Sequence, residues 1–371
     1  MYDTLATLIL FTILFFLYVH IFDHYKTSED LEIYEMDYTN NVALQEICSV
    51  KQPTIFELRS ILPRPFKQIT VENILAKHEK APLVQVKDVN DYWLEPNLDT
   101  VDSIPLNFAT FHALITTDSK SHYYTDLNQN FIENSFLNEE MPNIDDFLKP
   151  DFATFRGYDL IMGAEGCPMP MQYHNHYRRF LISLSGKAHV KMTPWKSRKY
   201  LHPTNDYENY EFVSKINVWK AQQKYEMDYE QTRFLEFDLL EGYVLYVPPY
   251  WWYSIKFTDS KTLILSASYD TVMSTAADSV ELAKYFFQQH NIKEKMSRTF
   301  VPEPAPIVVK EPVVESPAII EPPIMEKEPM PIYSSGEPHT ASAAVLVEHL
   351  KAREQVPMRD QGEQMMHHIL G

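Results

Sequence analysis

Residues 171–203 read MQYHNHYRRFLISLSGKAHVKMTPWKSRKYLHP, and residues 234–257 read FLEFDLLEGYVLYVPPYWWYSIKF. In the first stretch a His-rich segment leads into an apolar run, a turn at Ser185–Gly186, and a returning run that ends at Pro194. In the second, a run meets a turn at Glu241–Gly242, another ends at Pro248–Pro249, and an aromatic series opens a third. Aromatic and β-branched residues between Gly and Pro punctuation mark short strands. The same pattern covers Phe155–Met162, Phe180–Met192, Arg233–Leu239, Tyr243–Val247, Tyr253–Phe257 and Leu263–Tyr269, and PLVQVKDV at 82–89 adds a strand upstream. Asn107–Tyr124 and Leu127–Leu148 read mainly as helices and loops. Asp278 reads as the N-cap of a helix reaching Lys295, with Val280, Leu282, Ala283, Phe286 and Phe287 on its apolar face.

The composition supports a β-rich core. Of 371 residues, 45% are hydrophobic and 13% aromatic, while Gly numbers only 8. No Gly-rich phosphate loop is present. A net charge of −18 opposes binding to nucleic acid, whose phosphates it repels. The basic cluster Lys196–Lys199 is too short to reverse that expectation. Two cysteines, Cys48 and Cys167, cannot supply a disulfide framework or a cysteine zinc site. Cys167 follows Gly166 with no evident base nearby.

The two ends differ from the middle. Leu5–Phe22 (LATLILFTILFFLYVHIF) holds no formal charge, Gly or Pro. As a helix it spans roughly 27 Å, close to the hydrocarbon thickness of a bilayer. The preceding residues carry no basic charge, and no small-residue cleavage site follows, so an uncleaved single-pass anchor in residues 1–25 is expected. Lys26 favours a cytosolic soluble part by the positive-inside rule. Residues 26–50 read as a polar stalk, and 51–298 as the folded domain. Residues 299–340 are an acidic, Pro-rich linker expected to be disordered, and 341–371 a tail with a short helix. Either the barrel or this tail is expected to meet a protein partner.

The paired motifs resemble the cupin-like and JmjC-like branch of the Fe(II)/2-oxoglutarate oxygenase superfamily, in a membrane-anchored form similar to those of large DNA viruses. The resemblance covers about 51–295 and is strongest over 152–270, with Pro248, Trp251 and Trp252 in place. It implies a mainly β fold with flanking helices, a double-stranded β-helix or jelly roll, with the site inside the barrel. It also implies a metal triad of two His and one carboxylate, with open positions for 2-oxoglutarate and oxygen. Aligned on the Gly186 turn, the first His and the carboxylate fall on Tyr173 and Asn175. Aligned on the tryptophan pair, the second His falls on Tyr253. The family lysine falls on Ala188, with Lys187 beside it. All three ligands are thus replaced, and the expected protein is a binding or scaffold module with no catalytic residues and no cofactor.

Other readings stay open. A one-residue slip, which needs a bulge, would turn His174 and His176 inward. With His189, or with a carboxylate such as Glu236 or Asp238, they could form a rebuilt metal site for an Fe(II)/2-oxoglutarate hydroxylase. Lys187, Trp251, Trp252 and Tyr124 are candidate pocket residues, although core and rim packing is the ordinary role of such aromatics. Arg178 and Arg179 could meet an anion, but a solvent-facing role is the more ordinary one. A third reading is a structural protein of a virion or organelle membrane.

Overall fold

The computed structural model describes residues 2–77, 81–93 and 100–290. The expected Pro-rich linker and tail lie outside the described residues. In chain order the strands are β1 (Tyr34–Glu35), β2 (Thr54–Glu57), β3 (Val84–Asp88), β4 (Ile104–Leu106), β5 (Tyr123–Thr125) and β6 (Ala153–Gly163). The second half adds β7 (Gln172–Tyr173), β8 (Arg178–Ser185), β9 (Ala188–Thr193), β10 (Pro203–Asp206), β11 (Glu211–Ser214), β12 (Leu235–Leu239), β13 (Tyr243–Val247), β14 (Trp252–Phe257) and β15 (Leu263–Thr271).

Among the described residues these strands form two sheets. The larger runs β1-β2-β13-β8-β15-β6-β5-β3-β4, and the smaller β10-β11-β7-β14-β9-β12. They are the layers of a cupin-like jelly roll with flanking helices. The turn between β8 and β9 crosses from one sheet to the other at Gly186. Its φ of +71° and the Thr262 Cα, 2.8 Å from where a Cβ would sit, leave room for no side chain.

Strand β8 is paired on both edges, to β13 and to β15, so its side chains alternate between two covered faces. Phe180 faces outward, against Tyr246 and Tyr269. Tyr269 in turn donates to Asp145 on the helix Met141–Leu148 (2.8 Å), as does Tyr158 (2.6 Å). Arg178 shares this face and is 1% exposed. Its guanidinium donates to Gln45 Oε1 (3.0 Å) and Ser49 Oγ (3.1 Å) and lies 4.0 Å from the Tyr177 ring centroid. The solvent-facing role expected for Arg178 is therefore corrected: it ties the helix Asn41–Cys48 to the barrel.

That tie also corrects the stalk. Within 26–50, β1 adds to β2 as an edge strand, and Leu44 and Cys48 are fully buried. Apolar positions three and four apart gave this short helix a face to bury, inside a stretch whose average composition is polar.

The N-terminal helix Tyr2–Tyr25 presents its apolar side chains outward all round. It is long and apolar enough to cross a membrane. Its last turn is packed on the domain: His24 Nε2 meets Asp278 Oδ2 at 3.2 Å, and the Tyr25 hydroxyl donates to the Ala277 carbonyl at 2.6 Å. The Lys51 ammonium donates to the Asp23 carbonyl. Asp278 does not cap by its side chain, contrary to expectation. Its carboxylate is taken by His24 and the Tyr250 hydroxyl (3.0 Å), and a short helix, Val272–Ala277, precedes it.

Replacing Arg178 by Ala leaves the Gln45 and Ser49 acceptors without their buried donor. The expected cost is about 2–4 kcal/mol, measured by denaturant unfolding of the detergent-solubilised chain. Early loss of protection in 41–48 by hydrogen exchange identifies the local cause.

Candidate functional site

The His-rich segment enters the barrel through β7. Gln172 pairs with Tyr253 of β14 and Val213 of β11, while Tyr173 pairs with Phe212. Partners across a ladder share a face. Tyr173 therefore sits in an aromatic layer with Trp252 (4.7 Å between ring centroids), Trp195 (4.9 Å) and Phe212 (4.9 Å). This layer covers a cluster of Met171, Leu201, Val218 and Trp252. His174, on the opposite phase, lies 6.2 Å from the Tyr253 ring. Strand β8 carries a bulge, with Leu263 paired to Ser185 and Ile264 to Ser183, leaving Leu184 as an inserted residue.

A cleft is lined by Tyr173, His174, Asn175, His176, Arg179 and Glu211, among others. His174 is 4% exposed. Burial, then the nearby Arg179 and His176 charges, hold its imidazole well below the ordinary histidine value, so it is neutral. Nε2–H donates to the Val247 carbonyl (3.1 Å), which leaves the Nδ1 lone pair buried and unpartnered. The Tyr253 hydroxyl is also buried without a partner, and the Arg179 guanidinium lies 5.8 Å from its ring. His176 Nδ1–H donates to Asp270 Oδ2 (2.7 Å), and the Tyr177 N–H to Oδ1 (2.9 Å). Burial opposes the Asp270 charge, but these donors and Ser274 outweigh it and hold the carboxyl below its ordinary value. Asn175 donates to the Tyr210 hydroxyl at 2.8 Å.

Deeper in the same region lies a charge cluster that the motifs do not announce. Lys87 of β3 is 1% exposed and pairs with Glu211 (2.6 Å) and Asp126 (2.9 Å). Tyr92 donates to Glu211 (3.3 Å) and Tyr124 to Tyr92 (3.2 Å). Asp159 accepts the backbone N–H groups of Asn128 (2.7 Å) and Leu127 (3.0 Å). The one hint in the sequence is a lysine inside the apolar run PLVQVKDV. Burial raises Glu211 to about 7, against Lys87, and raises Asp159 to about 6.

The remaining candidates lie elsewhere. His189 is half exposed on the outer face of β9, where it donates to Asp238; Lys187 also pairs with Asp238 (2.9 Å). Glu236 pairs with Lys191 (2.9 Å). Neither His189 nor these carboxylates approach His174. Trp251 and Trp252 are fully buried, and Trp252 faces the outer aromatic layer. Tyr124 reaches only the edge of the charge cluster. Arg179 lines the cleft and donates to Ser266 Oγ (3.1 Å).

Comparison with known proteins agrees with this architecture. A family model described as cupin-like domain matches residues 101–290, just over half the chain. The chain belongs to the cupin-like domain family. HSPB1-associated protein 1 of Rattus norvegicus and of Mus musculus are each 26% identical over 109 residues, 29% of this chain. The match spans 23% of those relatives' length.

The superfamily implies Fe(II) and 2-oxoglutarate, and the fit of the residues here turns on Tyr253 and the two histidines. A neutral phenol, Tyr253, stands where the second His ligand is required, and phenol is a poor Fe(II) donor. His174 Nε2–H bonds the Val247 carbonyl and His176 Nδ1–H bonds Asp270, which leaves Nδ1 of His174 and Nε2 of His176 as the ring nitrogens with lone pairs. Among the described residues no group of three His, Cys, Asp or Glu side chains has metal-holding geometry.

Glu211 gives a test by pH. Folded, it keeps its proton up to about 7; unfolded, only to the ordinary value of 4.5. The fold binds more protons between these values, so stability falls as pH rises through them, by on the order of 2–3 kcal/mol. In Glu211→Gln this contribution is expected to vanish, leaving the decline from Asp159 and an opposing rise from the buried, neutral His174. Thermal unfolding from pH 4.5 to 8 measures it.

Proposed function

We propose that this chain is a membrane-anchored binding module built on a cupin-like barrel that does not run the Fe(II)/2-oxoglutarate reaction. The observation that carries the reading is Tyr253, buried where the resemblance requires a histidine. The Leu5–Phe22 helix serves as the anchor and holds the domain at the membrane surface, with Lys26 favouring the cytosolic side. The relatives' name describes association with another protein, which agrees with a partner-binding role for this domain. A structural role in a virion or organelle membrane is the narrower form of the same idea.

One observation favours the rival enzyme reading: His174 and His176 both line the cleft. The full chain, purified in detergent, is expected to carry iron well below one equivalent by mass spectrometry and to convert no 2-oxoglutarate to succinate. Stoichiometric iron, with turnover that disappears in the His174→Ala/His176→Ala double variant, would replace the binding module by a hydroxylase with a rebuilt site.

A further inference from the structure

The helix Ser279–Gln289 is amphipathic in the inverse sense for a domain surface. Its polar side faces the barrel: the Tyr207 hydroxyl donates to Glu281, and Gln289 Nε2 donates to the Glu208 carbonyl (2.6 Å). Tyr285 packs edge-on against Tyr210 at 5.3 Å. The apolar side points away. Val280 is 64% exposed, Phe286 56% and Phe287 71%. At about 100° per residue these three fall, with Ala283, in an arc of roughly 120°. Burying polar groups on the domain while leaving two phenylalanines in water makes sense only if something else covers them.

Position indicates what covers them. The helix starts directly after Asp278, whose carboxylate is buried against His24, the last residue but one of the N-terminal helix. The Tyr25 hydroxyl holds the Ala277 carbonyl one residue earlier (2.6 Å). Val272, 59% exposed, opens the preceding helix, which packs along this same end of the N-terminal helix. The apolar stripe therefore begins within one turn of the point where the apolar Leu5–Phe22 segment ends. A partner protein has no comparable fixed relation to the stripe.

We propose that the stripe of Val280, Phe286 and Phe287 lies in the headgroup–acyl boundary of the bilayer that the N-terminal helix spans, so that the domain is seated on the membrane at two places. An apolar helix face lying in the interface plane is a known form of membrane contact. The proposal rests on the anchor reading. It adds a fixed orientation, with the Val272–Gln289 end of the barrel toward lipid and the Lys261 turn, at the far end of β15 and about 30 Å away, toward water.

The test uses the full chain in phosphatidylcholine vesicles, carrying a nitroxide at Phe287→Cys or, as control, at Lys261→Cys. Cys48 and Cys167 are buried, with thiols raised by burial (Cys48 to about 12), and label poorly. Expected is relaxation of the Phe287→Cys label more by oxygen than by a water-soluble nickel chelate, with the order reversed at Lys261→Cys. Both labels relaxed mainly by the chelate, in chain that resists carbonate extraction, would overturn the second seat and leave the anchor standing. A Phe287→Cys label shielded from both agents would assign the stripe to residues beyond 290 or to a second copy, and would also overturn the proposal. Extraction of the chain by carbonate would remove the anchor reading and this one with it.

Discussion

Strand β8 has a partner on each edge and a covered face on each side, and this double enclosure sets the terms for the rest of the molecule. A strand so placed gives its polar side chains little access to water. Arg178 and Arg179, adjacent in sequence, must therefore point in opposite directions and find buried partners in both. Arg178 meets neutral acceptors and aromatic faces on the outside and secures the helix Asn41–Cys48. Arg179 enters the barrel, where it faces Tyr253 and lies near Asp159. One strand's pleat thus connects the covering layer to the cleft.

The same alternation governs the site. On β14, Trp252 faces the outer aromatic layer and Tyr253 faces in. On β7 and the residues after it, Tyr173 packs with Trp252 at the edge of the cleft, which Gln172 and His174 also line. The result is a cleft whose upper part offers an unpartnered, neutral imidazole nitrogen, with the Tyr253 ring 6.2 Å from that of His174. Its lower part holds Lys87 and Arg179 against three carboxyls. With the carboxyls in excess, Glu211 and Asp159 are held above the ordinary carboxylate range by burial. Such a cavity can hold a small polar occupant by hydrogen bonds.

Anchor and barrel are joined by specific contacts. Asp278 is shared by His24 from the N-terminal helix and Tyr250 from the barrel, and Tyr250 in turn packs on Trp195 (5.3 Å) and Tyr173 (6.2 Å). An aromatic path therefore runs from the end of the apolar helix to the outer layer beside the cleft. The orientation of the apolar helix relative to the barrel is set by this joint, which a flexible stalk could not achieve.

Much of this was legible in residue order. Strand runs, the Gly186 and Gly242 turns and the unbroken apolar stretch Leu5–Phe22 are local patterns, set by steric limits on φ and by the solvent preference of consecutive side chains. The family and the jelly roll follow from two such patterns in the right order. The absence of a histidine after Trp252 is likewise plain from the sequence. Tertiary structure alone decided which ring nitrogens of the His-rich segment are bonded, because Val247 and Asp270 come from distant strands. It alone gathered Lys87, Asp126, Asp159 and Glu211 from four strands and loops into one cluster, since burial of charge depends on partners far away in sequence. It also turned a polar stretch at 26–50 into part of the domain and Asp278 from a cap into a joint. In each case the deciding contact is long-range, and local propensity carries no record of it.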